Sequence, residues 1–223
     1  MAPPHLPNPT VYTPSITGRT WLSDSAFELT IERPMGFRFT AGQRIRIYCN
    51  GLERDYSLAC GPGAPHLSLC IRRVAPGPVS SLLSEATMGT MIQMTGPFGY
   101  FCLQPSTHAV VWVATGTGIA PFRSMAANGS GSFTLLHGVK TADELYYRRE
   151  FESAARSYVP CLSAPSSPVE EAWTGRVTDY VKGHLPVMDY DFYLCGRREM
   201  VRDMTDLIDE RYSSSRVYSE IFF

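Results

Sequence analysis

Arg54-Asp55-Tyr56-Ser57-Leu58-Ala59-Cys60 puts a guanidinium, a phenol ring and a hydroxyl close together in the chain. On an extended strand Arg54 and Tyr56 fall on one face, side by side, so the pair suits a ligand with both a phosphate and a flat heterocycle. Ser57, on the opposite face, could offer its hydroxyl to a ring edge while leaving room for a second reactant. The same residues also describe an edge strand with a solvated arginine and a core tyrosine.

A second stretch reads Val110-Val111-Trp112-Val113-Ala114-Thr115-Gly116-Thr117-Gly118-Ile119-Ala120-Pro121-Phe122. A β-branched apolar run breaks into glycines, and a proline follows where a helix takes its first turn. Strand, glycine loop and helix N-terminus make a cradle for phosphate, because glycine lets the backbone approach and the first helical N–H groups have no internal partner. The loop is not G-x-G-x-x-G and no acid follows at the distance that would take a ribose hydroxyl; His137-Gly138-Val139-Lys140 stands there instead. A plain tight turn is the competing reading.

Tyr193-Leu194-Cys195-Gly196-Arg197-Arg198 repeats strand, glycine, helix, and should open on the same crevice. Cys195 has no base beside it in sequence, which suits a polarisable wall rather than a nucleophile. Arg197 and Arg198 suit either surface charge or phosphate. Gly77-Pro78-Val79-Ser80 predicts a short helix with Ser80 as its N-cap, its first N–H groups aimed at an anion. Gly96-Pro97-Phe98-Gly99 predicts a tight turn, and Tyr218-Ser219-Glu220-Ile221-Phe222-Phe223 an aromatic, acidic final strand.

The elements that must carry these residues change character part-way. Phe27, Leu29 and Ile31 alternate with polar residues, as do Ile45 and Ile47, Leu67, Leu69 and Ile71, and Ile92 and Met94, which predicts antiparallel strands of a small barrel over residues 11–104. From 105 to 223, continuous apolar runs at 109–114, 133–136 and 192–195 alternate with predicted helices near 119–127, 143–154 and 198–211, the pattern of a parallel α/β sheet. Residues 1–10 read as a lead or linker, and 164–168 as a surface loop.

Twenty Lys and Arg against 21 Asp and Glu, with no basic run, give no reason to expect nucleic acid or an anionic membrane as partner. Neither a secretory signal nor a spanning segment is visible, so a cytoplasmic protein is expected. The six cysteines are scattered without metal-site spacing and are expected to be mostly buried free thiols, with no metal bound.

In order, R-x-Y-S, G-x-x-S, G-P-F-G, G-T-G-x-A-P, C-G and a terminal E-x-F resemble the ferredoxin-NADP reductase family across residues 11–223, above all the reductase components of bacterial aromatic-ring oxygenases. The resemblance implies an FAD-binding barrel and an NAD(P)-binding domain, with FAD expected in preference to FMN and NADH or NADPH as hydride donor. It implies that Arg54 meets the flavin pyrophosphate, Tyr56 lies on the isoalloxazine and Ser57 approaches its N5. Gly77, Val79 and Ser80 would complete the pyrophosphate site, and the backbone of Ile71, Arg72 and Arg73 would face the pyrimidine edge. Thr115, Gly116, Thr117, Gly118 and Pro121 would cradle the pyridine nucleotide, with Lys140 and Arg197 bearing on NADH against NADPH. Cys195 and Gly196 would border the nicotinamide, while Glu220 and Phe222 cover the flavin, making Ser57, Cys195 and Glu220 the catalytic candidates. The iron-sulfur cysteines of many relatives are absent, so the implied acceptor is a separate ferredoxin or oxygenase component, and a monomer is expected. A flavin reductase that releases reduced flavin and a non-catalytic nucleotide-sensing module are the alternatives.

Overall fold

Alternation builds the first half. The computed structural model describes residues 10–74 and 77–222, so nearly all of the expected lead lies outside the described residues. The strands β1 (Val11–Tyr12), β2 (Ile16–Ser23), β3 (Ala26–Glu32), β4 (Arg44–Cys49), β5 (Leu52–Ser57), β6 (His66–Arg72) and β7 (Gln93–Phe98) form two antiparallel sheets, ordered β2-β3-β6 and β1-β7-β4-β5. Single bridges at Leu58–Leu69 and Ser15–Met91 join the sheets at both margins, closing the barrel that the sequence predicts. Phe27, Leu29, Ile31, Ile45, Ile47, Leu67, Leu69 and Met94 fill it, each such side chain contributing about 2 kcal/mol by leaving water.

Helix α1 (Pro78–Glu85) starts at its proline with Gly77 at the N-cap, so Ser80 is not the cap that the sequence suggests. Proline's fixed φ and missing N–H suit the first helical position, which draws the cap three residues earlier, to Gly77. The predicted turn at Gly96-Pro97-Phe98-Gly99 is also corrected. Gly96, Pro97 and Phe98 belong to β7, where Phe98 pairs with Arg44 across a register shift.

The second half is a parallel sheet ordered β11-β10-β9-β8-β12-β13: Trp173–Thr174, Ser157–Leu162, Phe133–Val139, Ala109–Thr115, Tyr190–Arg197 and Arg216–Phe222. Consecutive burial of Val111, Trp112, Val113 and Ala114 reflects helices on both faces. These are α2 (Ala120–Ala127), α3 (Arg148–Ala154), α4 (Val177–His184) and α5 (Arg198–Arg211). The predicted helix at 143–154 is broken. A 3-10 turn at Ala142–Glu144 precedes α3, and Tyr147 between them takes a left-handed conformation with φ 60°. The sequence reading missed α4.

The halves share a core in which Ala41, Ala59, Cys70 and Phe101 pack with Trp112, Phe122, Met125 and Tyr193. Beside it Arg123 on α2 bonds Glu28 on β3 (2.5 Å) and Glu150 on α3 (2.8 Å), and lies 4.1 Å over the Tyr147 ring. Among the described residues no helix is long and apolar enough to cross a membrane.

Candidate active site

Strand β5 carries Arg54, Tyr56 and Ser57 as alternation requires. Arg54 is exposed, with Nη1 donating to its neighbour's carbonyl at Glu53 (2.7 Å). Tyr56 packs part of its ring on the barrel core, and burial pushes its phenol up to about 12, so it stays neutral. Ser57 is buried. Its Oγ donates to Glu220 Oε2 at 2.8 Å, which joins the barrel to β13.

Helix α1 lies beside β5. Its first turn holds no acid and Pro78 lacks an N–H, so the N–H groups of Val79 and Ser80 form its electropositive end while the Val79 side chain points into the core. A Cβ on Gly77 would stand 2.3 Å from the Val74 carbonyl oxygen, so this close approach needs glycine. Ser80 Oγ accepts from the Val74 N–H at 3.2 Å.

Of the backbone expected at the ring edge, Arg73 N–H is committed to the Ser25 carbonyl at 2.8 Å. Ladder alternation then commits Ile71 to Phe27 as well and turns the Arg72 N–H and C=O toward the open edge of β6. Of these three, Arg72 alone has both backbone groups turned away from β3. The Arg73 guanidinium lies 5.1 Å from the Trp21 ring centre.

At the carboxyl ends of β8 and β12 the two glycine turns pack backbone to backbone. A Cβ on Gly118 would meet the Cys195 carbonyl oxygen at 2.3 Å, and one on Gly196, whose φ is 138°, would meet Thr115 Oγ1 at 2.1 Å. Thr115 Oγ1 accepts the Arg197 N–H at 2.9 Å. After Thr115 the chain enters a 3-10 turn, Gly116–Ile119, that runs into α2 with Pro121 in its first turn. Lys140 stands on the same rim one strand away, its N–H donating to Glu144 (3.0 Å).

Cys195 is in register with Glu220, and Arg197 with Phe222. The Cys195 side chain has no exposed surface, and burial, with Glu220 nearby, holds its thiol well above the ordinary range, so it is no nucleophile at neutral pH. The expectation that most cysteines are buried is corrected: Cys70, Cys161 and Cys195 are, whereas Cys49, Cys60 and Cys102 are partly exposed. Cys49 is the last residue of β4, and Cys60 and Cys102 lie outside the strands, in the irregular segments after β5 and β7.

Arg44 and His137, to which the motifs gave no role, bond directly to candidate site residues. Arg44 on β4 donates through Nη1 to Glu220 Oε1 at 2.7 Å and through Nε to Asp55 Oδ2 at 3.1 Å. His137 on β9 is buried, with Nε2 3.3 Å from the Gly116 carbonyl and Nδ1 3.2 Å from the Tyr158 hydroxyl. Burial lowers its pKa to about 4 against the smaller effect of the Gly116 bond, so the ring is neutral. Because a carbonyl only accepts, Nε2 carries the hydrogen and Nδ1 accepts from Tyr158.

Residues 18–102 match the family model for an oxidoreductase FAD-binding domain, and residues 112–206 that for an oxidoreductase NAD-binding domain. The chain is 31% identical over 215 residues to ferredoxin-NADP reductase B of Sorangium cellulosum, covering 83% of this chain and 86% of that protein. The chain belongs to the ferredoxin-NADP reductase family. Like the family, this reductase is an FAD-dependent oxidoreductase that draws on NAD(P)H. It is also 30% identical over 213 residues to the toluate 1,2-dioxygenase electron transfer component of Pseudomonas putida, of whose length it spans 63%. A ferredoxin NADP+ reductase of Neisseria gonorrhoeae, solved with FAD and NADP, shares the reductase's fold at a TM-score of 0.84, with 22% identity over 97% of this chain and 100% of that one.

Proposed function

We propose that the barrel, residues 11–104, holds FAD and the sheet, residues 105–223, delivers the nicotinamide, with electrons passing singly to a separate ferredoxin or oxygenase component. The observation that carries this reading is the 2.8 Å bond from Ser57 to Glu220, which sets the R-x-Y-S strand against the strand next to Cys195 and Gly196. The donor set fits FAD. An exposed guanidinium and an acid-free helix start suit a pyrophosphate, a neutral half-buried ring suits a flat heterocycle, and the Arg72 backbone suits a pyrimidine edge.

Arg54, Gly77, Val79 and Ser80 anchor the pyrophosphate and Tyr56 supports the ring. FAD, when bound, supplies a two-electron acceptor that can be reoxidised one electron at a time. Thr115, Gly116, Thr117, Gly118 and Pro121 receive the dinucleotide phosphates, with Lys140 and Arg197 on the same rim. Cys195, Gly196, Glu220 and Phe222 wall the reacting rings and keep water out, so that the pair is held at reacting distance without a strong acid or base.

Visible spectra of the purified protein, before and after anaerobic NADH or NADPH, test this. A yellow protein bleached by one of the nucleotides is expected. A colourless protein that takes up no flavin overturns the reading, and bound flavin that neither nucleotide bleaches points to the sensing module.

A further inference from the structure

Glu220 is held by both carboxylate oxygens, Oε1 by Arg44 at 2.7 Å and Oε2 by Ser57 at 2.8 Å. Its side chain is only 9% exposed. Ser57 has one hydrogen to give and an ionised carboxylate has none, so in this pairing the hydroxyl must donate to Glu220.

The surroundings are shaped around Arg44. A Cβ on Gly99, where φ is 94°, would stand 2.8 Å from Arg44 Nη1, so the residue after β7 has to be glycine for the guanidinium to lie there. Asp55 fixes the other side of Arg44 and is itself gripped by Arg46 at 2.6 Å. The remaining titratable groups beside Glu220 are Cys195 on β12 and Cys102 after β7, and burial keeps both thiols protonated. Arg44 therefore supplies the positive charge that faces the Glu220 carboxylate in this largely buried position.

We propose that Arg44 is a positioning residue: by holding the Glu220 carboxylate in place it commits the Ser57 hydrogen to Glu220 and leaves Ser57 Oγ to face the flavin only as an acceptor. The inference rests on the reading above that Ser57 meets the redox-active ring. An acceptor favours the redox form that carries a hydrogen on its ring nitrogen over the form that offers only a lone pair there. Arg44 then sets the balance between reduced and oxidised flavin without touching it.

The test is potentiometric titration of the bound flavin, followed by its visible spectrum, in the wild type, Arg44→Met, Arg44→Lys, Ser57→Ala and the double variant Arg44→Met/Ser57→Ala. Arg44→Met is expected to shift the ratio of oxidised to reduced affinity about tenfold toward the oxidised form, about 30 mV for a two-electron couple. Arg44→Lys, which keeps the charge, should recover most of the shift, and the shift should vanish when Ser57 is alanine, because the relay runs through that hydroxyl. An equal shift with and without Ser57 overturns the relay and makes Arg44 a distant charge. Unchanged potentials in Arg44→Met overturn the inference while leaving the flavin reading intact, whereas a wild type without flavin fails that reading first.

Discussion

Arg54 and His137 act at the scale of a single side chain. Arg54 is an exposed cation on β5, the strand that α1 lies beside, so Arg54→Ala should weaken FAD retention about 10- to 100-fold, the worth of one charge-assisted bond to phosphate. Flavin occupancy after gel filtration checks it, and coenzyme affinity should change far less; equal occupancy would refute the role. His137 is neutral in the fold because its pKa has fallen to about 4, while an unfolded histidine titrates near 6.5. The unfolded chain therefore binds the extra proton between these values, so the contribution is whole above pH 6.5 and fades as pH falls toward 4, by about 3 kcal/mol. Denaturant titrations at pH 7 and pH 4 should show His137→Gln losing less stability on acidification than the wild type.

At the scale of elements, the paired glycine turns at the carboxyl ends of β8 and β12 form the proposed nucleotide rim. Gly196→Ala would need φ 138° and a Cβ 2.1 Å from Thr115 Oγ1, so it should cost about 3 kcal/mol in thermal unfolding and weaken NAD(P)H binding while FAD stays bound. These turns were legible in the sequence because glycine is forced where φ is positive or another backbone closes in. The β5 motif was legible because alternation assigns faces without knowledge of partners. Elements read less well where local signals conflict. Pro78 outcompeted Ser80 for the start of α1, Tyr147 broke a helical pattern by taking a left-handed turn, and α4, only Val177–His184 and containing Gly183, is too short to announce itself. Arg44 and Arg123 escaped notice because the groups that give them meaning, Glu220 and Glu28, lie 176 and 95 residues away.

At the scale of the molecule, Arg123 ties the halves together through Glu28, Glu150 and the Tyr147 ring, with the Tyr147 hydroxyl also donating to Glu28 at 2.9 Å. Removing it strands two carboxylates near the joint. Arg123→Ala should cost about 2 kcal/mol of stability, and should slow flavin reduction by NAD(P)H more than it changes the affinity of either ligand, because the spacing between the two pockets is what it holds. Stopped-flow reduction set beside binding titrations separates the two effects; a fall in both affinities with an unchanged reduction rate speaks against an alignment role.

The Ser57–Glu220 bond closes a loop of 163 residues, and its two ends belong to sheets whose strand pairings each stay within one half of the chain. Neither half can make it alone, and closing so long a loop is slow compared with forming hairpins and helices. Its formation is thus a clock mark for assembly: hydrogen exchange at the β13 amides should gain protection after both sheets have, at the moment when the halves dock. The contact that finishes the site also records that the whole chain has come together.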